Sequence, residues 1–488
     1  MRIPVFIHDR IYIPRAPIFD ELLESIRVKF NYANPKYSQL KAIGRWTGGV
    51  ERRLNIWDHV SHPDFGDCLS VPRGGLSKVR KAFEQEGYTP HLIDRRVTHE
   101  PITDLFNDVT LRPDQERLAA AMMKVQNCLI RSPTGSGKTE TALKAAEYML
   151  KDAGPVLVIV WETELMDQWV ERICQRFGLR EKDVGMVGGR KKKRIKPLTV
   201  GMQQSLRNKI RIYAPQFGGV ICDEVQRFAA TTYEHVIDLM PAKYRIGISA
   251  DETRRDKQEF RIYDMFGEVA EEIERAALIK QGKLHDVIIR CIPTDFDYIL
   301  EVDDEELTWA ELEAENKDTN DLLDILCDDD ERNDLIWHFM SPVLKQKHST
   351  LVITRRVEHA KYWEYRIRSE GYKCGLMIGG RENETVFKTT KRGLLNGNIQ
   401  VAVGTIQKIG QALDIPPWER GFIISPCAQN KQQFEQILGR LRRTSEGKTE
   451  AVCYYIWDKY LYPGIARSLS NRYPSVFIWD DEGFLPVS

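Results

Sequence analysis

The sequence predicts an α/β protein made of two tandem parallel sheets behind a small N-terminal α/β domain. Three observations predict this. From about residue 111, strand-length apolar runs ("NCLIRS", "VLVIVW", "LTVG", "GVICDE", "YRIGIS") alternate with helical stretches such as "TETALKAAEYML" and "TELMDQWVERICQRF". A second series of the same kind follows: "DVIIRCI", "TLVITR", "KCGLMIG", "IQVAVGT", "FIISP" and "AVCYYIW". Strands alternating with helices imply a parallel sheet covered on both faces. The third observation is length, because 488 residues exceed what one ordinary core supports.

Taken in order, residues 1–100 form the small α/β domain. "FDELLESIRVKF" reads as one helix and "GGLSKVRKAFEQEG" as another, closed by glycine. Between them runs "NPKYSQLKAIGRWTGGVERRLNIW", rich in turn residues, arginine and aromatics. The first sheet is expected over 101–285 and the second over 286–470, with 471–488 as a C-terminal tail. An acidic insert at 297–331, with Lys317 almost its only base, reads as a solvated helix or loop.

Composition narrows the class. Hydrophobic residues make up 42% and charged residues 29%, as in ordinary globular proteins. Net charge is zero, which excludes a uniformly basic nucleic-acid binder, so any attraction to phosphate must come from local patches. Nine scattered cysteines include no C-x-x-C pair, which argues against a zinc ribbon or disulfide frame and fits a reducing cytosol. The N-terminus "MRIPVFIHDR" has no apolar signal core. The apolar runs are strand-length, far short of the ~20 residues that cross a bilayer. A cytoplasmic chain with no membrane partner is expected, in the bacterial host cytoplasm if the source is viral.

The clearest chemistry lies in "SPTGSGKTE", which follows the run "NCLIR" and opens a helix. Backbone amides of such a loop and of the helix N-terminus surround an anion. Pro133, Thr134, Gly135, Ser136, Gly137, Lys138 and Thr139 form the loop, with Gly135 and Gly137 letting the backbone approach phosphates. Lys138 would contact the β and γ phosphates of ATP, and the Thr139 hydroxyl would hold Mg²⁺. The first position of the strict pattern is Ser132 rather than glycine. "GVICDE" ends a buried strand in Asp223 and Glu224. Asp223 would face the metal, and Glu224 would orient and deprotonate the attacking water.

At this point the chain resembles the superfamily 2 helicases and translocases over roughly residues 111–460. "LRPDQ" is similar to that family's adenine-reading motif, with Gln115 as reader and Arg112 beside it. "PTGSGKT" resembles motif I and "DEVQ" motif II. "VIVWETELMDQW" resembles motif Ia, with Trp161 and Glu162 replacing the usual Pro-Thr. "VGMQQSL" resembles the next motif, with Met202 where threonine is common. "GISADETRRD" resembles motif III, with Asp251-Glu252 for Thr-Pro. "VAVGTIQKIGQALDIPP" resembles motif V, with Gln411-Ala412 for Glu-Gly and Asp414 among the expected nucleotide contacts. "QILGRLRR" resembles motif VI. The family implies two RecA-like domains with the nucleotide in the cleft between them. "NPKY", "GRWTGG" and the helix before "EGYTPHLID" are similar to the N-terminal domain of phage UvsW-type branch-migrating helicases.

The resemblance gives motif VI a role. Gln436, Arg440 and Arg443 fall four and three apart, so they are expected on one helical face, with Ile437, Leu438 and Leu441 anchoring the turn. Arg443 would be the finger on the γ-phosphate, Arg440 its neighbour, and Gln436 would orient them or the water. An arginine finger is worth ~10³ to 10⁵ in rate, or roughly 4–7 kcal/mol of barrier.

For nucleic acid, Arg190, Lys191, Lys192, Lys193 and Arg194 crowd one loop in "GGRKKKRIKP". Each phosphate neutralised adds about one unit to the salt slope. Gln203 can reach a phosphate through its side chain or amide, and Thr405 in motif V can do so from the second domain. Arg45 and Trp46 pair a guanidinium with an aromatic face, a set that clasps phosphate and stacks on bases. The expected partner is branched, forked or single-stranded DNA, with other replication or recombination proteins, and the chain itself a monomer. Two other readings stay open: an RNA helicase, and an ATP-gated clamp that does not turn over.

Overall fold

The computed structural model describes the chain except residues 43, 190–193, 228–230, 252–253, 255, 298, 303–304, 309–319, 381, 411–417, 428–429 and 488. The basic run at 190–193 and Asp414 therefore lie outside the described residues. Two units emerge: Met1–Pro133 with Gly137–Glu274, and Arg275–Ser488 with Thr134–Ser136. Among the described residues no helix is long and apolar enough to cross a membrane.

The first unit opens with a five-stranded sheet. Its order is Asp58–His62, Gly66–Pro72, Arg10–Pro14, Arg2–Ile7 and Thr89–Asp94. Only the pair Arg2–Ile7 and Thr89–Asp94 is parallel. Ile3 and Val5 alternate inward, as a half-buried strand requires. Helices Asp20–Lys29 and Leu76–Gln85 bring Leu22, Leu23, Ile26, Val79, Ala82 and Phe83 onto that face.

A seven-stranded sheet follows in the same unit, and its hydrogen-bonded neighbours are all parallel. Its order is Gly185–Val187, Leu198–Met202, Val156–Val160, Gly219–Asp223, Tyr244–Ser249, Asn127–Arg131 and Val269–Glu272. Val156–Val160 is buried at every position, which explains its unbroken apolar run: helices cover both faces. Parallel pairing has a functional consequence. It puts the segments after Arg131, Val160, Met202, Asp223 and Ser249 along one carboxyl edge, where open α/β sheets bind ligands.

Buried polar contacts fix the N-terminal sheet to this one. The Arg73 guanidinium donates to Asn127 Oδ1 at 2.7 Å, the Ala242 carbonyl at 2.8 Å and the His8 carbonyl at 3.0 Å. Arg245, fully buried, donates to the carbonyls of Asp9 and Met240, each at 2.6 Å. Asp264 takes Lys78 at 2.5 Å and Tyr32 at 2.7 Å, while Tyr32 stacks on Phe260. Cations desolvated this way hold their place only while every carbonyl and carboxylate partner stays put.

The second unit carries an eight-stranded sheet. Its order is Cys374–Met377, Val401–Thr405, Thr350–Thr354, Arg420–Ile423, Ala451–Asp458, Val287–Thr294, Val476–Trp479 and Phe484–Pro486. All neighbours are parallel except the last pair. The stretch 471–488, expected as a tail, thus supplies two strands. The apolar "SVFIW" follows a proline and lies beyond the last motif, so no local pattern marks it as a strand of this sheet. The acidic stretch is more built than a solvated loop. Ile299–Val302 and Glu305–Thr308 pair as an antiparallel hairpin. Helix Asn320–Asp328 packs Leu323, Leu326 and Cys327 against Leu461.

Candidate nucleotide-hydrolysis site

The phosphate-type loop leaves strand Asn127–Arg131 and enters helix Lys138–Ala153. Ser132, at the position usually glycine, is buried and its N–H donates to the Ser249 carbonyl at 2.9 Å. A small side chain is all the position demands. Gly137 caps the helix at φ +87°, and a Cβ there would fall 2.4 Å from Gln115 Nε2, so only glycine fits. Gln115 closes the other side. Its Oε1 accepts from the Arg112 N–H at 3.1 Å and its Nε2 donates to the Gly137 carbonyl at 3.4 Å. Arg112 in turn pairs with Asp114 at 2.9 Å. The predicted base-reading pair is therefore tied directly to the loop.

Across the sheet edge, Lys138 Nζ stands 3.5 Å from Glu224 Oε1. Glu224 adopts φ +57°, a left-handed conformation that non-glycine residues seldom take. Its other oxygen accepts from Gln226 Nε2. Gln226 Oε1 accepts from the Ser249 hydroxyl at 2.7 Å. Lys138, Glu224, Gln226 and Ser249 thus make one contact chain through motifs I, II and III. Asp223 accepts from the Trp169 indole N–H at 3.0 Å.

Two adjacent carboxyls at this edge diverge in acidity. Burial and the neighbouring Glu224 charge push Asp223 up to about 6. Burial acts the same way on Glu224, but Lys138 and the Gln226 hydrogen bond outweigh it and hold Glu224 below its ordinary value. Asp223 at the strand end and Thr139 on the opening turn of the helix are the oxygen-bearing residues expected to hold a hard divalent cation.

The second unit holds motif VI on helix Lys431–Leu441. Phe434, Ile437, Leu438 and Leu441 are fully buried and anchor it. Gln436 and Arg440 share a face as expected. Arg443 does not: the helix has ended, and Arg443 forms an isolated bridge with Leu284. The Arg442 carbonyl accepts from the His285 N–H at 2.8 Å, so the incoming chain pulls this turn out of helix. Sequence reasoning also passed over Arg442 and Glu435. Glu435 takes Arg442 at 2.8 Å, Arg275 at 2.8 Å and the Tyr473 hydroxyl at 2.7 Å. Lys448 caps the helix end, donating to the carbonyls of Leu441 and Arg443, and burial pushes its ammonium down to about 8.

The expected nucleic-acid residues divide. Arg45 and Trp46 stand on the surface, Trp46 with 83% of its area exposed. Arg194 instead turns to the carbonyls of Val184 and Glu181 while its backbone bridges Met186. The Gln203 side chain is buried, and Thr405 is covered at its strand end, so neither side chain is offered to solvent. Basic residues flank motif Ib on the surface instead: Arg207, Lys209 and Arg211 are exposed. The missed partners Trp169, Gln226 and Ser249 all lie inside recognised motif blocks. The available signal for Trp169 was physical, since a tryptophan on a core-facing stripe needs an acceptor for its N–H.

The parallel sheet, phosphate-type loop, strand-end acids and motif III serine together form a candidate nucleotide-hydrolysing core. The family model of the type III restriction enzyme res subunit matches residues 108–253. The chain is 23% identical over 373 residues to "Probable helicase D10" of Escherichia phage T5, covering 76% of each protein. It is 31% identical over 182 residues to "DNA 3'-5' translocase XPB2" of Sulfurisphaera tokodaii, spanning 36% of this chain and 40% of that protein. The crystal structure of T4 UvsW aligns over 98% of this chain and 99% of its own at 16% identity, with a TM-score of 0.42. The matched family model and the helicase relatives indicate an ATP-dependent helicase, and the motif blocks resemble those of superfamily 2.

Proposed function

We propose that this helicase acts on DNA, unwinding or branch-migrating forks and junctions in replication, recombination or repair. One observation carries the catalytic part: the unbroken chain Lys138–Glu224–Gln226–Ser249 along the carboxyl edge of the first sheet. Lys138 and the loop Pro133–Thr139 take the ATP phosphates, with Gln115 and Arg112 at the base. Thr139 and Asp223 hold Mg²⁺, and Glu224 activates water. Gln436, Arg440, Arg443 and Asp414 complete the site when the second domain closes, and reopening after hydrolysis is the motor stroke. Arg443 lies beyond the helix end, at its bridge with Leu284.

DNA as the track is supported by the relative named a DNA 3'-5' translocase. Branched DNA is supported by the N-terminal domain, which the buried arginines hold rigidly against the first sheet while it exposes Arg45 and Trp46. The remaining contacts are assigned to Arg190, Lys191, Lys192 and Lys193 and the motif Ib and V backbones. The chain works as a monomer in the cytoplasm, with replication or recombination proteins as partners.

The test is ATP hydrolysis and strand displacement at fixed salt on forks, four-way junctions, single strands, plain duplex and RNA hybrids. Forked and junction DNA should stimulate most. Equal or greater stimulation by RNA would move the assignment to RNA. No stimulation by any nucleic acid overturns it, and binding without single-turnover hydrolysis would identify a clamp.

A further inference from the structure

The Trp169 indole is nearly wholly buried, 2% exposed, in a helix that begins at motif Ia. Its only polar atom donates to Asp223 Oδ2 at 3.0 Å, entirely inside the core. An indole N–H can donate and cannot accept, so it bonds the carboxylate and cannot take its proton. Motif Ia and motif II are already neighbours, because strand Val156–Val160 pairs with Gly219–Asp223. A second bridge joins them: the Arg227 guanidinium lies 4.8 Å from the Trp161 ring centroid, at the position where this chain departs from the usual Pro-Thr. The segment carrying motif Ia is thereby connected twice to the strand end expected to hold metal.

We propose that Trp169 is the positioning residue for Asp223, and that it carries displacement of the motif Ia helix to the metal carboxylate. The proposal rests on the proposed function: its nucleic-acid arm on the helicase reading and its metal arm on Asp223 as a metal ligand, with geometry supplying the Trp169–Asp223 contact. The physical content is simple. A carboxylate fixed through one oxygen keeps one orientation, and a preset ligand binds a dication better than a rotating one. Because the donor rides on a rigid helix, any tilt of that helix rotates the carboxylate with it.

The experiment replaces Trp169 by 3-benzothienylalanine, which keeps the ring shape and removes only the N–H, and in parallel makes Trp169→Phe. The first readout needs no turnover: ADP affinity with and without Mg²⁺. Loss of an outer-shell partner typically lowers metal affinity by ~10- to 100-fold. The affinity gain that Mg²⁺ confers should therefore shrink about tenfold, while metal-free ADP binding stays unchanged. In hydrolysis, half-saturation by Mg²⁺ should rise by a similar factor, and excess Mg²⁺ should restore the basal rate. Stimulation by DNA should stay reduced even at saturating metal, because the lever is cut.

An unchanged Mg²⁺ gain in the benzothienyl protein overturns the positioning role. Equal loss of ADP affinity with and without metal assigns Trp169 to packing alone and also overturns it. A lowered Mg²⁺ gain with normal DNA stimulation at saturating metal removes the lever and keeps the positioning. If wild-type protein responds to no nucleic acid, the helicase reading fails while the metal comparison remains valid.

Discussion

Two acid–base clusters in this chain look alike in composition and differ in tightness. At the edge of the first sheet, Lys138 and Glu224 stand 3.5 Å apart, at the outer limit of a hydrogen bond. Beneath motif VI, Glu435 is gripped at 2.7–2.8 Å by Arg442, Arg275 and Tyr473 together. A cation that must be handed to a phosphate cannot be locked to a carboxylate. A carboxylate that holds a helix in place gains from every donor it saturates. The loose pair suits a group that engages a ligand, and the closed cage suits a structural support.

The largest expected effect lies at the loose pair. Lys138→Ala should abolish ATP hydrolysis, read by phosphate release, by removing the phosphate contact. The long, partly solvated ion pair contributes little to folding, so denaturant midpoints should barely move. Turnover near wild type would refute the loop assignment, and a large stability loss would show that the pair is structural after all.

Next comes Arg443, which borders the cage but is not part of it. Arg443→Ala should leave nucleotide affinity nearly intact and lower turnover at least about a hundredfold, the signature of a group used in the transition state. Its neighbour Arg442 offers the contrast. Equal loss of binding and rate in the Arg443 variant would mean that the finger lies elsewhere in the motif.

Most of this contrast is legible in the sequence, and the part that is not has a physical cause. The alternation of strands and helices gives the two parallel sheets, because fully buried strands must be continuously apolar, as "VLVIV" is. The phosphate-type loop and the strand-end acids were legible because glycine spacing and paired carboxylates follow from what phosphate and metal require. The stripe of motif VI was only half right. Helical spacing put Gln436, Arg440 and Arg443 on one face, but the Leu284 bridge ends the helix before Arg443. That pairing spans a long stretch of chain, and no local pattern announces it. Long-range partnership hid Trp169 and Glu435 too, since each is defined by an atom distant in sequence. The Gln203 side chain is buried, so its backbone amide is the other expected route to a phosphate.

The smallest effect on chemistry, and the sharpest test of the comparison, falls on the cage. Glu435→Gln keeps the shape and a hydrogen-bonding group but leaves the buried Arg442 without its counter-charge. Breaking a buried pair from one side costs about 3–5 kcal/mol. Partial exposure of Arg275 and the retained amide contacts should bring the loss in unfolding free energy to about 2–4 kcal/mol, while Mg²⁺-dependent ADP affinity stays at wild type. Burial alone would raise Glu435, but Arg442, Arg275 and the Tyr473 hydroxyl outweigh it and hold its carboxyl below the ordinary value. A depressed carboxylate stabilises the fold above its unfolded-state pKa and loses that contribution as pH falls through its folded-state value. The stability gap between wild type and Glu435→Gln should therefore be full at pH 7 and close on acidification below about pH 4. A gap that persists in acid would show that the cage acts through shape rather than charge, and would dissolve the distinction between the two clusters.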